Sequence, residues 1–490
     1  MSDLVANSGL PIEEAITDLR DALATHRHAV LVAPPGAGKT TLVPLRLLHE
    51  PWVNDRKIIM LEPRRLAARA AAMRMSTLLG EDVGETVGFQ TRDERRIGAH
   101  TRIEVLTEGV LTRRLQHDPT LEGTALVIFD EVHERNLPTD TGLAFLLDAI
   151  VTWDAPTKVL AMSATAQSDL FAQVLADSGE NAPVVFSDGK IFPVDVRYVP
   201  RQKDSRIENS VVDTALTALR DDEGDILVFL PGIAEINRTQ SLLQEKVGDH
   251  VDVVRLAGAL PFEEQDAALR PSSSGKRRVV LSTDIAETSL TVEGVHIVID
   301  AGLARTPRLD PRTGLTEIVT ITSSRASAEQ RSGRAGRVRP GVAYRLWSRI
   351  EDATRLAHLP SEITQTDLTG LALEIAAWGT PIETLKFLDT PPEKTIRMAI
   401  ETLRTLHLVD DLGAITDLGR QVLTLPLHPR LGTMVARHRD DPAQGWIACI
   451  LAALLDERDI MRGRPDDSPC DISLSCLLYT SDAADDSLRV

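Results

Sequence analysis

The chain has 490 residues, with 54 Lys and Arg against 72 Asp and Glu, and its net charge of −18 excludes a histone-like protein that holds nucleic acid by bulk positive charge. Hydrophobic residues make up 43% and aromatics 3%, which excludes wholesale disorder and requires cores filled by Leu, Val, Ile and Ala. Three cysteines, Cys449, Cys470 and Cys476, are too few for a disulfide scaffold and have no metal-ligand spacing with the 12 histidines.

From the N-terminus, Met1-Ser2-Asp3-Leu4 lacks a basic segment followed by an apolar one, so no secretory leader is expected. No apolar run approaches the ~20 residues of a membrane-spanning helix. A cytoplasmic multidomain protein acting as a monomer is the expectation. Short apolar runs at 29–33, 58–61, 103–106, 126–129 and 159–162 alternate with helix-like stretches such as 66–79. The same style returns at 226–230, 251–254, 279–282 and 295–299. Runs this short and apolar suit parallel sheets covered on both faces. The fold class is therefore α/β, with two tandem doubly wound lobes over 1–188 and 189–347. Beyond Trp347 the strand pattern stops. A helical, winged-helix-like module is expected over 348–430 and the start of a helical bundle over 431–474, while 475–490 is unplaced or foreign.

Residues 33–40 read Ala-Pro-Pro-Gly-Ala-Gly-Lys-Thr, after a strand and before a helix-like 42–48. Small residues let backbone N–H groups curl around an anion at a helix N-terminus. Gly36, Ala37, Gly38, Lys39, Thr40 and Thr41 are the candidate phosphate cradle; Lys39 can reach the β- and γ-phosphates, and Thr40 can bind Mg²⁺. Ala33 stands where such loops usually open with Gly, a mild departure.

About 90 residues on, the apolar run 126–129 delivers Asp130 and Glu131 to its C-terminal end, where α/β sheets place their ligands. Asp130 can hold Mg²⁺, and Glu131 can take a metal contact or polarise the attacking water. Alone, the acidic pair reads equally well as a helix start; the phosphate loop decides for the nucleotide site.

With Val132 and His133, these acids resemble the DExH motif of superfamily-two helicases, in the DEAH-box branch, and among them the bacterial HrpB family. The other matching strings are Glu62-Pro63-Arg64-Arg65, Thr107-Glu108-Gly109, Ser163-Ala164-Thr165, Phe229-Leu230-Pro231-Gly232, residues 282–289 and Gln330-Arg331-Ser332-Gly333-Arg334-Ala335-Gly336-Arg337. The likeness covers roughly residues 10–470. It implies two RecA-like lobes and an ATP- and Mg²⁺-dependent motor, open to other nucleoside triphosphates, on single-stranded RNA or on an RNA duplex with an overhang, running 3′-to-5′. DNA stays an open alternative, since backbone contacts alone scarcely separate the two. The family extends beyond this chain with further C-terminal domains.

The resemblance gives Arg334 and Arg337 the charge of a transferring phosphoryl group, with Gln330 orienting the lytic water; the alternative is a basic, RNA-facing turn, and Arg331 reads as a structural ion-pair partner instead. Arg64, Arg65, Thr107 and Thr283 are implied contacts to a strand's backbone, although Arg64 and Arg65 alone read as a solvated helix start. Ser163, Ala164 and Thr165 are assigned coupling. His133 bridges the nucleotide site to that segment or to Gln330, with a structural histidine as the equal alternative. Arg74 matches an adenine-stacking arginine, but its aromatic partner is replaced by Leu303, so weak discrimination among nucleoside triphosphates is expected. Residues 304–322, with Arg312-Thr313-Gly314, read as a β-hairpin that resembles a strand-separating wedge. The alternatives to a helicase are an RNA-stimulated remodeller without strand separation and a nucleotide-gated binding protein.

Overall fold

The computed structural model describes residues 9–164, 168–189, 192–202, 205–272, 275–287, 292–310 and 315–456. Thr165, the turn Arg312-Thr313-Gly314, Cys470 and Cys476 and the 475–490 tail lie outside them.

The first lobe holds β1 (His28–Val32), β2 (Lys57–Leu61), β3 (Val87–Gln90), β4 (Arg95–Arg96), β5 (Ile103–Leu106), β6 (Thr124–Phe129), β7 (Lys158–Ser163) and β8 (Val184–Phe186). They form one sheet in the order β4-β3-β5-β2-β6-β7-β1-β8, parallel except for the β3–β4 pair. All six residues of β6 are buried, as a central strand covered on both faces requires. β6 and β1 flank β7, so the acidic strand end and the phosphate loop open at the same sheet edge.

The second lobe holds β9 (Val194–Tyr198), β10 (Asp225–Phe229), β11 (Val251–Leu256), β12 (Arg277–Ser282), β13 (Val295–Asp300), an antiparallel hairpin of β14 (Leu303–Asp310) and β15 (Leu315–Thr322), and β16 (Gly341–Arg345). The parallel sheet runs β11-β12-β10-β13-β16-β9. Both α/β lobes and the hairpin therefore match the expectation. Five strands escape the sequence reading. β3 carries Gly88, β4 is two exposed arginines, β8 spans three residues, β9 alternates polar and apolar as an edge strand does, and β16 ends in Tyr-Arg.

The chain divides into two compact units, residues 1–366 with 386–390, and the remainder. The second unit is helical in its described part: Thr369–Trp378, Glu393–Thr405, Asp417–Leu423, Pro429–His438 and Pro442–Asp456. An isolated antiparallel bridge joins Val409 to Ile415. Thr416 then caps the next helix by accepting from the Gly419 N–H at 3.0 Å.

Candidate active site

The loop after β1 turns into the helix Lys39–Leu47, three residues before the expected start. Gly36 and Gly38 adopt φ of +85° and +96°, which side-chain-bearing residues rarely do, and Gly38 is the helix N-cap. A Cβ on Gly38 would also lie 2.9 Å from Leu10, whose segment packs beneath the loop; Ile12 N–H donates to Ala37 O. At this helix start the Ala37 and Thr41 N–H groups donate to Pro34 O at 3.2 Å and Gly38 O at 3.3 Å, and the helix dipole makes the end a ready anion site.

Opposite, β6 ends in Asp130 and Glu131, each at most 3% exposed. Glu131 has φ 51° and ψ 34°, a left-handed conformation that costs a non-glycine on the order of 1–3 kcal/mol. The Lys39 ammonium donates to Glu131 Oε1 at 2.8 Å and lies 3.8 Å from Asp130 Oδ1. Thr40 Oγ1 donates to Asp130 Oδ2 at 2.5 Å, and the Glu131 N–H donates to Oδ1 at 2.8 Å. Burial works against the Lys39 charge, yet Glu131 and Asp130 outweigh it and hold its pKa above the ordinary lysine value. Burial likewise opposes the Glu131 carboxylate, but Lys39 and then His133 bring it down to about 2. Asp130 is pushed up by burial, against the pull of Lys39.

His133 joins three segments. Its Nδ1 accepts from the Ala164 N–H at 3.3 Å, its Nε2 lies 2.8 Å from the Gln330 amide, and its ring is 3.5 Å from Glu131 Oε2. Burial lowers its pKa, so the ring is neutral. The atom that faces Nε2 is the Gln330 amide nitrogen. Both alternatives for this residue, Gln330 and the Ser163-Ala164 segment, are realised together. Ser163 is fully buried, and its carbonyl accepts from the Ala33 N–H at the phosphate loop.

From the second lobe comes the short helix Arg325–Gly333, continued by the turn Arg334–Gly336. Arg337 lies against the phosphate loop: a Cβ on Gly36 would meet its Nε at 3.7 Å. Arg334 is buried, donates from Nε to Glu287 O at 3.0 Å, and acts electrostatically on Glu131. Arg331 is the structural member, paired with Glu287 at 2.8 Å and Asp300 at 2.9 Å and lying over Phe229.

These residues fit a magnesium–nucleotide. Glu131 Oε2 is buried without a hydrogen-bond partner, Thr40 and Asp130 offer oxygens side by side, and Lys39, Arg334 and Arg337 offer cations to phosphate.

The remaining candidates do not gather at this centre. Arg74 is exposed on the helix Arg65–Leu79, and Leu303 is half-buried. Arg65 is exposed and pairs with Asp93, whereas Arg64 is partly buried between Glu134, at 3.4 Å, and Asp284 of the second lobe, at 3.5 Å. Thr107 and Thr283 end β5 and β12 and precede the helical segments Glu108–His117 and Asp284–Ala286. The sequence reading missed Glu62, Asp284 and Glu287. The first of these lies inside a motif already singled out and was passed over because only the arginines beside it suggested contacts.

Two parallel-sheet lobes sharing one phosphate loop, one acidic strand end and one arginine turn define a two-lobed P-loop nucleotide machine. Family comparison agrees: residues 13–172 match "DEAD/DEAH box helicase" and residues 208–339 match "Helicase conserved C-terminal domain". The chain is 42% identical over 452 residues to the ATP-dependent RNA helicase HrpB of Escherichia coli (strain K12), covering 92% of this chain and 55% of that protein. It is 34% identical to the pre-mRNA-splicing factor ATP-dependent RNA helicase prp22 of Schizosaccharomyces pombe, covering 87% of this chain and 37% of that protein. The crystal structure of the E. coli DEAH/RHA helicase HrpB superposes with a TM-score of 0.86 at 41% identity, over 93% of this chain and 59% of that one. The chain belongs to the DEAH-box helicase family, with its likeness running to HrpB. It spans about half the length of the curated relatives it matches.

Proposed function

We propose that this chain hydrolyses ATP between its two lobes and couples the cycle to movement along single-stranded RNA, separating duplexes in the 3′-to-5′ direction. The observation that carries the reading is the meeting of both lobes at one loop: Arg337 against Gly36, Arg334 acting on Glu131, and Gln330 on His133.

The Lys39 ammonium is engaged by Glu131 at 2.8 Å. A triphosphate entering the loop draws the ammonium to its phosphate oxygens and releases the Glu131 carboxylate. That carboxylate is ionised across the physiological range and accepts the proton of a water seated beside Oε2. Gln330, its amide nitrogen held 2.8 Å from His133 Nε2, orients this water, while Arg334 and Arg337 take the charge spread over the transferring group. Thr40 and Asp130 would hold a magnesium ion, which would supply charge neutralisation to the phosphates. Once the γ-phosphate is gone, the second lobe loses what its guanidinium groups grip, and the lobes relax. Arg64, Arg65, Thr107 and Thr283 are the proposed backbone contacts, and Ser163 and Ala164 carry the nucleotide state through His133. Weak base selection is expected, since exposed Arg74 and half-buried Leu303 offer no aromatic stack. The acidic balance and sparse cysteines support a cytoplasmic monomer.

ATPase rates with and without poly-RNA and single-stranded DNA, alongside displacement of a duplex with a 3′ overhang, test the proposal. RNA-stimulated turnover with displacement is the expected result. Stimulated turnover without displacement would make it a remodeller, and absence of turnover would remove the motor reading.

A further inference from the structure

The hairpin of β14 and β15 is wired directly to the arginine turn. Its second strand runs through Ser323 and Ser324 alone into the helix Arg325–Gly333, which carries Gln330 and leads to Arg334 and Arg337. A shift at the root of the hairpin therefore reaches the residues that the second lobe brings to the phosphate loop.

Two arginines close that root. Arg331, within the helix, donates from Nη1 to Leu303 O at 3.1 Å and to Asp300 Oδ1 at 2.9 Å, and the same oxygen accepts from the Gly302 N–H at 2.8 Å. Arg355, at the end of the helix Arg349–Thr354, stands outside every motif that the sequence presents. A single nitrogen, its Nη1, donates to Gly302 O at 3.0 Å, Ser323 O at 2.8 Å and Ser323 Oγ at 3.0 Å. Gly302 precedes β14 and Ser323 follows β15, so one side chain joins both ends of the hairpin.

The guanidinium of Arg355 is itself fixed. It lies 3.9 Å from the centroid of the Trp347 ring, a cation–π contact, and Trp347 donates from Nε1 to Asp352 Oδ1 at 2.8 Å. The residues after Arg355 extend the link through the main chain. Arg325 N–H donates to Leu356 O at 2.9 Å and Ala326 N–H to Ala357 O at 3.1 Å. The first N–H groups of a helix have no partner within it, so these carbonyls seat its opening turn.

Resting on the nucleotide site proposed above, we propose that Arg355 is a positioning residue: by pinning Gly302 to Ser323 it fixes where the helix Arg325–Gly333 begins, and so where Arg334 and Arg337 stand when a triphosphate occupies the loop. It acts through those arginines and not on the nucleotide.

The test is the affinity of the full chain, with Mg²⁺, for β,γ-imido-ATP and for ADP, both carrying an N-methylanthraniloyl label. Arg334 and Arg337 serve the phosphoryl group that ADP lacks, so the preference for the triphosphate reports their placement. R355M, which cannot donate, is expected to lose about threefold to thirtyfold of that preference with ADP affinity held within about twofold. R355K keeps a donor at the root and restores most of the preference. In an R337A background R355M should cost less than about twofold more, because the two residues act on one grip. Retained ADP binding shows that the first lobe is folded, and R355Q replaces R355M if it is not. An unchanged preference in R355M, an equal loss in R355K, a matching loss of ADP affinity in a folded variant, or full additivity with R337A would each overturn the proposal and leave the motor standing. Binding is read here without turnover. A parent that prefers the triphosphate but hydrolyses nothing would therefore refute the motor and leave Arg355 in its role.

Discussion

At the end of β6 the first lobe sets its cation among its own carboxylates, so that Lys39 is held above the ordinary lysine value by Glu131 and Asp130. The second lobe does the opposite. Arg334 and Arg337 are lowered by desolvation, Arg337 to about 10, because the surrounding carboxylates do not make up for the water removed. The first lobe sets its cation in the field of its own carboxylates, and the second sets two guanidinium groups where burial and, for Arg334, the neighbouring Arg337 weigh against the charge. A triphosphate would exchange partners with Lys39 in the first lobe and bring negative charge to the arginines of the second.

The steepest way to break this comparison is R334A. It removes a cation required only while phosphoryl transfer proceeds, and the ATPase kcat is expected to fall by roughly 10³–10⁵. E131Q follows, with a loss of about 10²–10⁴ and little change in nucleotide affinity, measured by turnover beside equilibrium binding. A parental rate in E131Q would remove Glu131 from the chemistry. Q330A should cost less, about tenfold to hundredfold in kcat with KM nearly unchanged, since it orients water without carrying charge. The smallest effect sharpens the resting picture of the first lobe. His28 opens β1, and burial lowers its pKa to about 4 from 6.5. Because the folded pKa is the lower one, its contribution is fully present above about pH 6.5 and fades as pH falls towards 4, by on the order of 3 kcal/mol in all. In H28N the unfolding temperature should decline less steeply between pH 7 and pH 5 than in the parent.

Both lobes and the principal charges of the site were legible in the sequence. Apolar strands of a parallel sheet read as continuous runs, and Gly36, Gly38, Lys39, Thr40, Asp130 and Glu131 stand at spacings whose chemistry is narrow. β9 was not legible because its half-exposed alternation of polar and apolar residues resembles loop sequence, and β16 because Gly-Val-Ala-Tyr-Arg is too short an apolar run to stand out. Glu62 was hidden for a different reason. A glutamate before Pro63-Arg64-Arg65 reads as solvated surface, and only the β2–β6 register places it beneath Asp130. Arg331 was legible as an ion-pair residue, but its partners, Glu287 and Asp300, come from other elements and only the fold names them.

The central claim, that both lobes hold one triphosphate at once, is tested most directly by a double-mutant cycle in ATP affinity between K39A and R337A. Shared grip predicts strong coupling, with the double variant departing from the sum of the single losses by about 1 kcal/mol or more. Losses that add within roughly 0.5 kcal/mol would mean that the two residues act on separate sites, contradicting the account.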